Sequence, residues 1–271
     1  MEHTWKIGIL TDGMKLSLRD GVSKAKELGA DGIQFYVTRG EAHVDEFTPE
    51  KRKEFRKFVE DLGLEISALC GDFDWKRGFM DPEFNKVNVP RVKRCCDLAV
   101  DLGTNVVTMH IGHFANDPSD PVYREVLKTS IELAEYAAER DVVLCSETGP
   151  TPPDQLLEFM KQCPEKGIGI NYDPANLIMA GPYDHIGGVM ILKDYIHHTH
   201  AKDGVRRHTG GGREVPLGDG SVAFKYYLAA LHAAGYDGFI TIEREGGDDP
   251  VGDMGRAVEF LRETMRNLPE V

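Results

Sequence analysis

Four ionisable residues, Glu147, Asp173, His200 and Glu243, each stand at or beside the end of a short strand-like run. If those runs are successive parallel strands, the four side chains converge on one side of the sheet's end. Three carboxylates gathered at pH 7 repel one another strongly unless a cation sits among them. Three oxygen ligands and one imidazole suit a fairly hard divalent ion: Mn²⁺, Mg²⁺ or Co²⁺, with Zn²⁺ also admitted. No cysteine closes any of these runs, which argues against a soft thiolate site. A lone Glu at a strand end is more often a cap or an ion-pair partner, and a lone His is more often structural. Four at consecutive strand ends are much harder to explain that way, so the expectation is one divalent metal held by all four.

The elements that must position them are legible as alternation. Short apolar runs at 6–10, 32–36, 64–70, 105–110, 142–147, 167–172, 196–201 and 238–243 read as strands covered on both faces. Between them, 18–28, 49–62, 89–102, 122–140, 153–163, 183–195, 222–234 and 253–268 carry apolar residues at helical spacing. The stretch 183–195 is weakened by Gly187-Gly188. Gly29, Gly63, Gly103 and Gly235 fall where a left-handed residue would stop a helix. Unbroken βα alternation implies a parallel sheet with right-handed crossovers. Eight repeats, beginning with a strand and ending with a helix, predict a single-domain (β/α)8 TIM barrel over residues 1–271. Reacting groups of such barrels sit at the C-terminal strand ends. An open doubly wound sheet is the alternative, but no Gly-x-Gly-x-x-Gly follows the first strand.

Composition narrows the partners. The 271 residues carry a formal charge of −13, from 32 basic and 45 acidic side chains. Such a surface repels phosphate backbones and anionic lipid, so neither nucleic acid nor a membrane is expected. The five cysteines (70, 95, 96, 145 and 163) are odd in number and form no Cys-x-x-Cys pair, which fits reduced thiols in a cytoplasmic protein. Residues 1–10 lack a signal peptide's apolar core, and no run is long enough for a membrane span. A homo-oligomer is left open.

The motifs around the four residues resemble the xylose-isomerase-like TIM barrels, and within them the sugar phosphate isomerase/epimerase family that includes ketose 3-epimerases. The matching blocks are Cys145-Ser146-Glu147-Thr148-Gly149, Asn171-Tyr172-Asp173-Pro174-Ala175-Asn176-Leu177 and His198-Thr199-His200-Ala201-Lys202-Asp203-Gly204. Val215-Pro216-Leu217-Gly218-Asp219-Gly220 and Gly235 through Glu245 complete the series in family order. The resemblance implies the same four metal ligands and a small carbohydrate substrate. It further implies proton abstraction next to a metal-bound carbonyl, through an enediolate, with Glu147 and Glu243 as the acid/base pair.

Other positions are expected to touch substrate. His110 closes the fourth run and is read as a polar substrate contact or support for a ligand, with a structural role as the alternative. Lys202 follows His200 by two positions and offers its ammonium to a substrate oxygen or phosphate. Arg206 stands where similar epimerases carry a substrate-binding Arg, although Arg207 blurs the match and a solvated loop residue explains it equally. Trp75 is read as ordinary loop packing. Asn176 departs from the pattern: similar ketose epimerases often carry His three residues after the ligand Asp. An amide hydrogen-bonds but carries no proton at pH 7.

An inosose-dehydratase-like lyase is therefore a close alternative. An apurinic-site-endonuclease-like nuclease is further off. It needs a His at Asn176 and another near the end of the third strand, and the acidic charge opposes it, although His110 would fit.

Overall fold

A computed structural model describes residues 5–268; the outer ends of the expected 1–271 domain, and with them residues 1–4 of the segment read as lacking a signal peptide, lie outside that range. Eight parallel strands close a barrel: β1 (Lys6–Leu10), β2 (Gly32–Tyr36), β3 (Glu65–Cys70), β4 (Val106–Met109), β5 (Val143–Glu147), β6 (Ile168–Tyr172), β7 (Ile196–Ala201) and β10 (Phe239–Ile242). The order around the barrel is β1-β10-β7-β6-β5-β4-β3-β2, with β1 and β2 sealing it. The expected (β/α)8 barrel is thus the observed one. The strands are nearly continuous in burial because helices cover one face and the barrel interior the other.

The covering helices are α1 (Leu18–Glu27), α2 (Pro49–Asp61), α3 (Pro82–Leu102), α4 (Pro121–Ala138), α5 (Pro153–Met160), α6 (Pro174–Ala180), α7 (Gly187–Leu192), α8 (Phe224–Ala233) and α9 (Pro250–Arg266). Most begin on local capping chemistry. Thr48 and Pro49 open α2, Asp120 and Pro121 open α4, and Asp249 and Pro250 open α9, with the capping oxygen accepting a backbone N–H each time. Gly103, at φ 79°, closes α3 as expected. None of the helices among the described residues is long and apolar enough to cross a membrane. All five cysteines are free thiols, and four are buried.

Several boundaries differ from the sequence expectation. Helix α3 starts at Pro82 rather than 89, because Asp81 caps it and because Asn85 and Asn88 are buried polar residues that break the apolar rhythm. Asn85 Nδ2 donates to Phe79 O at 2.8 Å, which satisfies its amide nitrogen, while its Oδ1 has no hydrogen-bond partner. An unexpected antiparallel hairpin, β8 (Asp203–Arg206) with β9 (Gly212–Val215), stands on the loop after β7. Strands β4 and β10 stop one residue early, leaving His110 and Glu243 just beyond their ends. The expected helix 183–195 shortens to α7 and a 3₁₀ turn, Lys193–Tyr195.

Gly188 explains how α7 survives its glycines. A Cβ there would lie 2.5 Å from the Tyr172 hydroxyl and 2.9 Å from Pro153 Cγ, so the missing side chain lets α7 close against β6 and α5. Replacing Gly188 by Ala is expected to destabilise the fold by about 1–3 kcal/mol. Gly149→Ala, where a Cβ meets nothing within 4 Å, should stay within about 0.5 kcal/mol. Equal denaturation midpoints for the two variants would contradict the packing argument.

Candidate metal centre

The barrel brings the four strand-end residues to its C-terminal mouth. Glu147 closes β5, Asp173 follows β6, His200 lies in β7 and Glu243 follows β10. One ligand atom from each lies within 4.8 Å of the others. All four side chains are almost wholly buried.

The imidazole of His200 is oriented from beneath. Gln34, buried in β2, donates through Nε2 to Thr108 Oγ1 at 2.8 Å, which turns its Oε1 to His200 Nε2 at 2.9 Å. Nε2 must then carry the proton, and Nδ1 faces Glu243 Oε2 at 2.9 Å and Glu147 Oε2 at 3.7 Å. A carbonyl partner behind one ring nitrogen is what fixes the other as a metal ligand.

Two carboxylate oxygens in this cluster lack a hydrogen bond, and one of the two has ion-pair partners instead. Asp173 caps α6, its Oδ1 accepting from the backbone N–H groups of Ala175 at 2.8 Å and Asn176 at 3.0 Å, while its buried Oδ2 has no hydrogen-bond partner. Glu243 Oε2 is also buried without one. It is ion-paired instead, with His200 Nδ1 at 2.9 Å and Lys202 Nζ at 3.2 Å. An orphaned buried acceptor costs about 1–3 kcal/mol, and more when charged. A divalent cation at the centre of the four atoms would give Asp173 Oδ2 a partner, so the donor set fits such an ion.

The electrostatics point the same way. Burial pushes the Asp173 carboxyl up to about 7; Lys202 opposes this, and Glu147 and Glu243 add to it. Burial also opposes ionisation of Glu243, yet Lys202 and His200 outweigh it and hold its carboxyl well below the usual range. For Glu147, burial is likewise overcome, by His110 and His200, and its carboxyl sits low. Burial disfavours a charged His200, but Glu243 and Glu147 hold its imidazole well above its ordinary value.

The other sequence candidates divide. Asn176 joins the cluster, donating from Nδ2 to Glu147 Oε1 at 2.7 Å. Lys202 is buried between Glu243 Oε2 and Glu245 Oε2, 3.2 Å from each. His110 stands at the rim, its Nδ1 2.6 Å from Asp72 Oδ2 and its Nε2 3.9 Å from Glu147 Oε1. Trp75 packs beside the His110 ring, at 6.3 Å between centroids, yet is 63% exposed. Arg206 is not brought in; it lies exposed at the outer end of β8.

Sequence reasoning missed Gln34, Asn171 and Asp72. Asn171 Nδ2 donates to Glu147 Oε2 at 3.1 Å, and its Oδ1 faces His198 Nδ1 at 3.0 Å. The available signal was a polar residue inside a buried run: Ile33-Gln34-Phe35 and Ile170-Asn171-Tyr172. Asp72 had no such signal, because it sits on a loop and is recruited by position alone.

Comparison with known proteins agrees with the barrel fold. Residues 22–264 match the family model described as xylose isomerase-like TIM barrel. A xylose isomerase domain protein from Planctomyces limnophilus superposes with a TM-score of 0.86 at 28% identity, covering 97% of this chain and 98% of that one. The inosose dehydratase of Geobacillus thermodenitrificans is 24% identical over 248 residues, 81% of this chain and 71% of that protein. L-ribulose-5-phosphate 3-epimerase of Salmonella paratyphi C is 24% identical over 263 residues, 89% of this chain and 87% of that protein. The chain belongs to the xylose isomerase-like TIM barrel family.

Proposed function

We propose that this protein is a divalent-metal-dependent isomerase or epimerase of a sugar, sugar phosphate or sugar acid. Glu147, Asp173, His200 and Glu243 hold one ion, with Mn²⁺, Mg²⁺ or Co²⁺ preferred over Zn²⁺ by the oxygen-rich donor set. The observation that carries the reading is the buried Asp173 Oδ2, left without a hydrogen-bond partner in a cluster where one ligand atom from each of the four residues lies within 4.8 Å of the others. When bound, the ion supplies Lewis acidity to a substrate carbonyl and makes the neighbouring C–H more acidic.

The protein's own residues do the rest. Glu147 is fixed by amide N–H groups on both oxygens, from Asn176 and Asn171. Glu243 is held by Lys202 and His200 from the other side. One carboxylate takes the proton from carbon and the other returns it, which needs two bases held in fixed positions about one substrate. His110, oriented by Asp72, presents Nε2 beside Glu147 for a substrate oxygen. Burial of the cluster excludes bulk water and strengthens each of these contacts.

A lyase is the second reading, and Asn176 favours it. Its amide is committed to Glu147 and cannot shuttle a proton to a substrate oxygen. Proton abstraction beside a carbonyl is shared by both reactions, so elimination of a hydroxyl requires only a different fate for the same carbanion.

Two outcomes test the proposal. With Mn²⁺ and a panel of ketoses and inososes in D₂O, the protein should exchange a carbon-bound proton. Glu147→Gln and Glu243→Gln should each slow that exchange by about 10²–10⁴-fold; near-normal exchange in either variant sinks the acid/base assignment. Metal uptake should also depend on pH. The metal-free protein carries a proton on Asp173 below about 7 and one on His200, and binding an ion displaces both. The rise in Tm given by Mn²⁺ should therefore be small at pH 5.5 and grow through pH 7.5. A pH-independent rise would show that the ion binds elsewhere.

A further inference from the structure

A cavity of about 290 Å³ opens among the segments that follow β1 and β2, with Thr11, Asp12, Ser17, Tyr36, Arg39 and Glu41 as its polar lining, and one of these, Tyr36, feels the charges of Glu243 and Glu147. Its place follows from strand order. Glu243 follows β10, β10 pairs with β1, Asp12 comes two residues after β1, and β1 pairs with β2, which ends at Tyr36. Neighbouring strands are about 4.8 Å apart, so the two strands that lead into the cavity stand roughly 5–10 Å around the mouth from the Glu243 strand. With C–C bonds of about 1.5 Å, that is the reach of the far end of a sugar whose reacting carbons sit at the metal cluster.

Leu16, Leu18 and Ala42 give the lining an apolar part, and its polar part is not cationic. Arg39 lays its guanidinium over the Tyr36 ring at 3.6 Å and pairs with Asp12 through Nε at 3.3 Å. Asp12 also accepts the Tyr36 N–H at 3.0 Å. Helix α1 begins here, and a free helix N-terminus attracts anions. This one is already served by its own acid: Ser17 Oγ accepts from the Asp20 N–H at 3.2 Å and donates to Asp20 Oδ2 at 2.7 Å. Asp12 and Glu41 thus face a single Arg39, and the helix end offers no spare charge. A phosphate carrying about −1.5 to −2 charges would meet net repulsion. A chain of hydroxyls would find acceptors on Asp12 and Glu41 and donors on Arg39.

We propose that this cavity binds the uncharged, hydroxyl-bearing tail of the sugar and turns away its terminal phosphate ester. The proposal rests on the reading of the metal cluster as the reaction centre, and it narrows the substrate to unphosphorylated sugars.

The test uses the full chain loaded with Mn²⁺, titrated calorimetrically with D-fructose, D-ribulose, L-ribulose and D-xylulose and with the terminal phosphate ester of each; C–H exchange in D₂O is followed in parallel. At least one free ketose should bind about tenfold or more tighter than its ester, a difference of about 1.4 kcal/mol. Arg39→Ala, at an exposed position where substitutions rarely threaten folding, should weaken binding of that ketose about fivefold or more. Glu41→Lys should narrow the gap by improving the ester. Esters that bind as tightly as the free sugars, no binding by any free ketose, or an Arg39→Ala variant with unchanged affinity would each overturn the proposal. If free ketoses bind in the expected pattern but no proton exchanges, the reaction reading fails while the cavity assignment stands. If exchange runs and the esters win, the reverse holds.

Discussion

Mutual repulsion among three carboxylates in a dry barrel mouth is the constraint around which this structure is arranged. Glu147, Asp173 and Glu243 are buried within reach of one another, and burial alone would drive each to hold its proton. Two of them are held ionised by cationic or protonated neighbours, Lys202, His200 and His110, while Asp173 is left pushed up to about 7. That uneven settlement, with the buried Asp173 Oδ2 lacking a hydrogen-bond partner, is a poor arrangement for a purely structural cluster. It is a good one for a centre that exchanges protons for a divalent ion, since three carboxylates and Lys202 together with an ion of charge +2 leave the cluster close to neutral.

Holding such a cluster in register requires polar residues where a barrel core would ordinarily be aliphatic. Gln34 ties His200 to Thr108 across the interior. Asn171 sits beside Glu147 in the β5–β6 register and beside His198 in the β6–β7 register. Because a carboxylate only accepts hydrogen bonds, the Asn171 amide nitrogen must face Glu147, and its oxygen must face His198. His198 then donates from Nδ1, and its Nε2 lies 3.0 Å from the Thr241 hydroxyl. Each link has one compatible orientation, so the ligand geometry is fixed by the barrel rather than by loops. Above this layer the rim is built differently. Arg244 pairs with Glu214 and Asp253 and so ties the β8–β9 hairpin to the segment after β10.

Much of this was legible in the sequence for a physical reason. The βα alternation sets the barrel, and the barrel dictates that strand-end residues meet; Glu147, Asp173, His200 and Glu243 could therefore be grouped without coordinates. Asn176 was legible as well, since it follows Asp173 within the first turn that Asp173 caps. What escaped was whatever depends on three-dimensional neighbours with no periodic signature. The Gln34 and Asn171 side chains are polar residues whose strands read as apolar. The hairpin carrying Arg206 stands where the sequence offered only a glycine-rich loop, and its strand pairing carries that side chain to the outside. Helix α3 began before Pro90 because buried Asn85 and Asn88 replace apolar residues on its inner face. The family assignment corroborates the fold, and the substrate is left to the cavity walls.

The most direct test of the central claim is anomalous diffraction from crystals grown with Mn²⁺, measured at the manganese edge. The account predicts one strong peak among Glu147, Asp173, His200 and Glu243, with His200 bound through Nδ1 and ligand distances of about 2.0–2.3 Å. A peak elsewhere, or no peak with Asp173 Oδ2 still without a partner at neutral pH, would contradict it.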